Sequence, residues 1–351
     1  MKIAVISSAA IKSGKEGYSG LERIAWEIAN WLGKYHDVTF VGSIGSSQGN
    51  FKLVETISPG YTVPGYIERE GEHIIKAVNI LKDENFDIVQ VHQHKFYLET
   101  FWINSKVYEW HIHAWLPPFP PSKKIFCYAR SKSHSEILKE KFMMDVDFMY
   151  NFVDVSEFPL VDKKEDYIVF FSRMSKEKGV HNFVEICKEL KCRAIIAGED
   201  SITKGIEPFY LIEVLKKINK ANLEGSRIEY LGSVDEKTKV EILSRAKALV
   251  IPYERPYFEV FGIVIVESLA CGTPVITYKG FGGPDEIITN EVGYLAKDFE
   301  DLKNFVRLVV NDEVKFDAKK CRERAMDFDI NKVMEDYLRK IESKYGSYIL
   351  R

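Results

Sequence analysis

Ala248-Leu249-Val250-Ile251-Pro252-Tyr253 is an apolar, partly β-branched run, and Glu259-Val260-Phe261-Gly262-Ile263-Val264-Ile265-Val266-Glu267-Ser268-Leu269-Ala270 follows it. Cys271-Gly272-Thr273-Pro274-Val275-Ile276-Thr277-Tyr278 then stops that segment and opens a second apolar run. The pattern predicts a strand at 248–253, a helix from about Phe261, a Gly-Thr-Pro stop and a strand at 274–278. A strand, a helix and a strand in this order make two parallel strands with a covering helix. Glu259 stands in the loop before the helix and Glu267 on its second turn. Carboxylates accept hydrogen bonds from hydroxyl groups, and the amides of a helix start can face phosphate.

The same alternation extends in both directions. Strands are expected at 2–7, 37–42, 87–92, 106–113, 124–130 and 147–151, then at 167–173, 192–198, 227–232 and 293–296. Helical patterns occupy 21–35, 180–190, 209–221 and 236–245, the last opening on a Ser233/Glu236 capping box. Periodicity breaks at 152–166, where Pro159 and Asp162-Lys163-Lys164-Glu165-Asp166 interrupt it, and a new sheet begins at Tyr167. The expected fold is α/β: two Rossmann-like, doubly wound parallel-sheet domains over 1–158 and 159–328, with a helical stretch at 329–351. Ligands of such sheets bind outside the carboxyl ends of the strands, so the expected site is a cleft between the two carboxyl edges.

A chain of 351 residues suits two such cores. With 46% hydrophobic and 29% charged residues and a net charge of −3, it reads as a soluble globular protein without a nucleic-acid partner. The segment from Lys123 to Lys141 is locally basic; a solvated helix face or contact with an anionic membrane surface both account for it. The five cysteines form no CxxC pair, and Cys127, Cys187 and Cys271 read as core thiols. The opening MKIAVIS predicts a strand rather than a signal peptide, and a cytoplasmic location follows as an expectation. The pairs His92-His94 and His111-His113 would each share a strand face, but without nearby Cys or acidic partners no metal site is expected.

Several loops carry residues suited to anions. Gly14, Gly17 and Gly20 precede the helix at Leu21-Glu22-Arg23 in a GxxGxxG spacing, neither the dinucleotide fingerprint nor a P-loop. A plain connection explains it, and so does close approach of a phosphate to the helix start. Arg173 and Lys178 follow the first strand of the second domain, a planar fork and a point charge suited to a diphosphate. Gly280-Phe281-Gly282-Gly283-Pro284-Asp285-Glu286 enters another helix and is expected to leave amides bare for an anion or hydroxyl. His111 and His113 end a strand of the first domain, and Pro117-Pro118 with Pro120-Pro121 form a stiff following loop.

Together these residues resemble glycosyltransferase family 4, retaining nucleotide-sugar transferases of GT-B fold. Glu259 to Glu267 is similar to the family's E-x7-E motif, including Phe261-Gly262 inside it. Arg173 and Lys178 keep its five-residue step. Ala197-Gly198-Glu199, Tyr230-Leu231-Gly232, Cys271-Gly272-Thr273-Pro274-Val275 and Gly282-Gly283-Pro284-Asp285-Glu286 match further landmarks in order. The resemblance implies that Arg173 and Lys178 hold the diphosphate, Glu259 the transferred sugar and Glu267 the ribose. His113 would line the sugar pocket, and Gly20, Phe261, Gly262 and Ile263 would contact the donor. It also implies a nucleoside-diphosphate sugar as co-substrate, a sugar, lipid-linked or small-molecule acceptor, and neither metal nor cofactor. The C-terminal helix would cross back to the first domain.

Three departures accompany it: Tyr18-Ser19-Gly20 in place of a Gly-Gly pair, Arg255-Pro256-Tyr257-Phe258 before Glu259, and Asn151-Phe152 in place of Asn-Gly. Another GT-B enzyme, such as a nucleotide-sugar 2-epimerase, or a non-catalytic sugar-nucleotide binder are the alternatives. The residues leave donor base, sugar, acceptor and oligomeric state open.

Overall fold

The computed structural model describes residues 1–15, 20–60, 66–114, 116–117, 124–200 and 207–349. The chain divides into two units, Met1–Asn151 with Asn331–Arg351, and Phe152–Ile330. Gly17, Tyr18, Ser19, Pro118, Pro120, Pro121 and Lys123 lie outside the described residues.

In unit 1, runs that are apolar on both faces, as at Lys2–Ile6 and Asp37–Gly42, become parallel strands buried between helices. The strands are β1 (Lys2–Ile6), β2 (Asp37–Gly42), β3 (Lys52–Glu55), β4 (Asn85–Val91), β5 (Asn104–His111), β6 (Phe126–Ala129) and β7 (Asp147–Phe148). Their order is β3-β2-β1-β4-β5-β6-β7, with every neighbouring pair parallel. Helices α1 (Leu21–Leu32), α2 (Tyr66–Leu81) and α3 (Lys132–Phe142) connect them. Ile74, Ala77 and Leu81 of α2 join Ala4, Ile6, Val89, Val91 and Trp110 in the core. The edge strand β3 was not expected from the sequence: it has four residues, with Lys52 and Glu55 at its ends exposed.

Unit 2 repeats the winding. Its elements are β8 (Ile168–Phe171), α4 (Val180–Leu190), β9 (Arg193–Ala197), α5 (Pro208–Leu223), β10 (Arg227–Gly232), α6 (Glu236–Arg245) and β11 (Leu249–Ile251). After these come α7 (Ile263–Ala270), β12 (Val275–Tyr278), α8 (Gly283–Ile287), β13 (Gly293–Ala296), α9 (Phe299–Val310) and α10 (Ala318–Ala325). The parallel sheet runs β10-β9-β8-β11-β12-β13. Both sheets are doubly wound with two Rossmann-like halves, as expected, and reverse direction between β1 and β4 and between β8 and β11.

Several boundaries differ from the sequence reading. Residues 152–158 group with unit 2, because Val153 bridges Asp329, Val155 N–H donates to Asp329, and Arg322 donates to Val155 O at 2.9 Å. The unit boundary therefore falls at 151/152 rather than 158/159. The cap of α6 is Asp235, whose side chain accepts from Thr238 N–H at 2.7 Å, rather than Ser233. Strands β5 and β11 end at His111 and Ile251, two residues earlier than expected, so His113 and Tyr253 stand in the loops beyond.

The last helix, α11 (Ile330–Ile349), groups with unit 1 from Asn331 onward. Asn331 accepts from Trp31 Nε1 at 2.9 Å, and Lys340 and Lys344 both pair with Asp147.

Candidate functional site

The reversal in unit 2 brings the loops after β8 and β11 side by side, since the two strands are hydrogen-bonded neighbours. After β8 the chain passes Arg173 and makes a 3-10 turn at Lys176–Lys178, ended by Gly179 at φ 75°. A Cβ on Gly179 would meet Pro252 O at 1.7 Å, so only glycine lets this turn lie against the end of β11. Lys178 Nζ consequently donates to Glu259 Oε2 and to the Tyr257 hydroxyl, each at 2.6 Å. Tyr253 and Tyr257 donate to the same Glu259 oxygen at 3.3 Å, and Lys178 lies 4.4 Å from the Tyr257 ring centroid. Burial first, then the Glu259 charge, pushes the Tyr257 hydroxyl up to about 12, so it stays a donor at neutral pH.

Arg173 is half-buried and donates to Glu177 Oε1 at 2.7 Å. Two expected cations thus converge on one loop, each with a carboxylate partner. Glu267 lies on the second turn of α7, buried, and accepts from Lys239 Nζ at 2.8 Å. Lys239, itself buried, also pairs with Glu236 at 2.6 Å. Phe261 is fully buried against Phe328, so its side chain is core and only its backbone remains for a ligand. Gly262 at φ 91° begins α7 without a side-chain cap, which leaves the first-turn amides at Ile263 to solvent or a ligand.

The glycine loop before α8 does not have the bare amides expected of it. Asp285 folds back and accepts from the N–H groups of Gly280, Phe281 and Gly282 at 2.7, 2.9 and 3.0 Å. Its carboxylate already occupies the position assigned to an anion.

In unit 1, His113 lies beyond β5 and is partly exposed; its Nε2 is 3.0 Å from His92 Nδ1. The His92 and His111 rings stack at 4.4 Å. Arg130 donates to His111 Nδ1 at 3.1 Å, and His111 Nε2 is 3.2 Å from Glu109 Oε2, which Tyr337 also contacts at 2.6 Å. Glu109 and Arg130 are fully buried, and burial raises the carboxyl to about 7 and lowers the guanidinium to about 9. Burial, then Arg130 and neighbouring histidines, hold His113 well below the usual imidazole range. Among the described residues no group of His, Cys, Asp and Glu is arranged to hold a metal.

Gly20 precedes α1 at φ −81°, and a Cβ there would meet no described atom within 4 Å. The described residues impose no glycine at this position. All five cysteines are buried and unbridged, including the three expected in the core. No described helix is long and apolar enough to cross a membrane.

Sequence reading did not find Tyr253, Tyr257, Lys239, Arg130 or Glu109. A lysine at i+3 from Glu236 was the only trace of Lys239, and its pairing with Glu267 spans 28 residues. The histidine pairs were visible, but not their use of each other as partners.

Residues 154–328 match the family model described as glycosyl transferases group 1. Glycogen synthase of Mycobacterium tuberculosis is 27% identical over 202 residues, covering 53% of this chain and 46% of that protein. Sucrose synthase 2 of Hordeum vulgare is 28% identical over 203 residues, covering 54% of this chain and 23% of that one. The aligned part of this chain thus spans less than half the length of these curated relatives. Among solved structures, sucrose-phosphate synthase from Thermosynechococcus elongatus superposes with a TM-score of 0.77 at 17% identity over 98% of this chain and 99% of the other. HepE of Anabaena, in complex with UDP and glucose, gives 0.73 at 18% over 98% and 100%. The paired parallel sheets are the GT-B fold of these neighbours, and through residues 154–328 the chain belongs to the glycosyl transferases group 1 family.

Proposed function

We propose that this protein transfers a glycosyl group from a nucleoside-diphosphate sugar to an acceptor hydroxyl, with retention at the anomeric carbon and without a metal. The observation that carries the reading is the Lys178–Glu259 pair with Arg173 on the same loop, at the carboxyl edge of the unit 2 sheet. A diphosphate brings more negative charge than either glutamate partner and competes for both cations. Lys178 and Arg173 then neutralise the charge that builds on the leaving phosphate as the glycosidic bond breaks. Released from Lys178, Glu259 accepts hydrogen bonds from the sugar hydroxyls.

Glu267, held in place by Lys239, accepts from the ribose hydroxyls. The first-turn amides at Gly262 and Ile263 face the phosphates. In unit 1, His113 serves the transferred sugar and the helix start at Gly20 the donor. The departing phosphate oxygen takes the acceptor proton, so no separate base is needed.

The test is thermal shift of the full chain with UDP-, GDP- and ADP-sugars, followed by turnover with any that bind. UDP-sugars come first because HepE is held with UDP and glucose. A ligand at 100 times its dissociation constant adds about 2.7 kcal/mol. Arg173→Ala is expected to lower kcat by about two orders of magnitude or more, because removing a preorganised charge costs roughly 3–4 kcal/mol of transition-state stabilisation. No shift with any nucleotide sugar, or unchanged turnover in that variant, overturns the reading.

A further inference from the structure

We propose that His92 is a positioning residue that fixes His113 in its Nδ1–H tautomer, so that the site presents a neutral hydrogen-bond donor to a ligand oxygen rather than a base. The inference rests on the role given to His113 above. One ring must donate across the 3.0 Å contact between His92 Nδ1 and His113 Nε2. The second nitrogen of His92, Nε2, is buried without a hydrogen-bond partner. If His113 donated, that nitrogen of neutral His92 would carry a proton, leaving an orphaned N–H in the interior. Orphaned N–H groups are rarer than under-satisfied acceptors.

The Arg130 guanidinium disfavours added positive charge on His92 and on His113 alike, so both rings are neutral and carry one proton each. His111 is set independently: Arg130 can only donate, so Nδ1 of His111 accepts, and its proton stands on Nε2 toward Glu109. His111 stacked on His92 then keeps the second ring in place. His92 therefore donates from Nδ1, His113 accepts at Nε2, and the His113 proton stands on Nδ1. The residue assigned to the sugar pocket offers one N–H to an oxygen lone pair and has no free ring nitrogen with which to take a proton.

The experiment is NMR of the full chain labelled with 15N-histidine, with His113→Gln used to assign the His113 ring among the eight histidines. In the wild type, Nδ1 of His113 is expected to carry the proton and Nε2 to be bare, the form dominating by about tenfold or more. His92→Phe keeps a stacking ring without the donor and should let His113 redistribute toward Nε2–H, with kcat falling about tenfold and donor KM within twofold. His92→Asn, whose amide nitrogen takes the place of Nδ1, should restore both spectrum and kcat. A wild-type His113 protonated at Nε2 overturns the proposal, as does full turnover in His92→Phe. The wild-type spectrum decides even if the His92 variants fail to fold. A wild-type Nδ1–H signal without turnover of any nucleotide sugar would remove the proposed reaction and leave the tautomer standing.

Discussion

At the scale of single residues, the two cations after β8 differ in how they can be probed. Lys178 and Glu259 form a buried pair, so Lys178→Ala leaves a carboxylate in the interior and should destabilise unit 2 by about 3–5 kcal/mol besides removing a charge from the leaving group. Arg173 shares a half-exposed pair with Glu177, and its loss should cost no more than about 1 kcal/mol of stability. Urea unfolding of both variants separates the cases, and equal stabilities would mean that Lys178 and Glu259 do not rely on each other. Glu70 of α2 gives a pH-dependent contrast. It is buried, accepts from Ser8 and Ala9, and burial raises it to about 7. The folded state then holds a proton that the unfolded chain releases near pH 4.5, so stability falls as pH rises from 4.5 to 7, by up to about 3 kcal/mol. Glu70→Gln keeps the acceptor oxygen. It should match the wild type near pH 4.5 and be the more stable protein at pH 8. A less stable variant at pH 8 would mean the carboxylate is favoured by its surroundings.

At the scale of elements, the loop before α8 shows what a glycine-rich segment does when an acidic residue follows it. Asp285 satisfies three successive amides that would otherwise open toward solvent. Asp285→Ala should destabilise unit 2 by about 1–3 kcal/mol, since it removes hydrogen bonds from three amides to a charged acceptor. Added phosphate should then recover part of the loss by occupying the vacated position. An unchanged midpoint would show that water replaces the carboxylate at no cost. The same loop marks the limit of what the sequence discloses. Buried parallel strands are apolar on both faces, so β1, β2, β8 and β12 stand out as runs. Helices α4 and α6 stand out by period, and Gly-Thr-Pro marks the end of α7. The edge strand β3 has too few apolar residues to show. Strand ends overshoot at Ile112 and Tyr253 because the residues just beyond β5 and β11 are themselves buried. For the site, residue types and spacing pointed to Arg173, Lys178, Glu259 and Glu267. Their partners Lys239, Tyr253 and Tyr257 were hidden, because pairing across separate elements leaves no local pattern.

At the scale of the whole chain, two cores are wound from one sequence, and one of them is completed by residues that come last. Val333, Met334 and Ile341 of α11 are buried, and burying each stabilises by about 1.5–3 kcal/mol. Tyr337 donates to Glu109 at 2.6 Å, so removing the helix also strips a hydrogen bond from a fully buried carboxyl group. Asp147 loses Lys340 and Lys344 at the same time. These losses together approach the 5–15 kcal/mol that holds an ordinary domain folded. Unit 2, by contrast, contains all of its strands and closes its own ends through Val153 and Asp329. A chain ending at Ile330 should therefore keep the calorimetric transition of unit 2 and lose that of unit 1, with amide exchange in β4 to β6 rising toward the unfolded rate. Residues 152–330 expressed alone should unfold cooperatively at the midpoint unit 2 has in the intact protein. If the truncated chain keeps both transitions, unit 1 is stable without α11; if 152–330 fails to fold, the two cores are not separable.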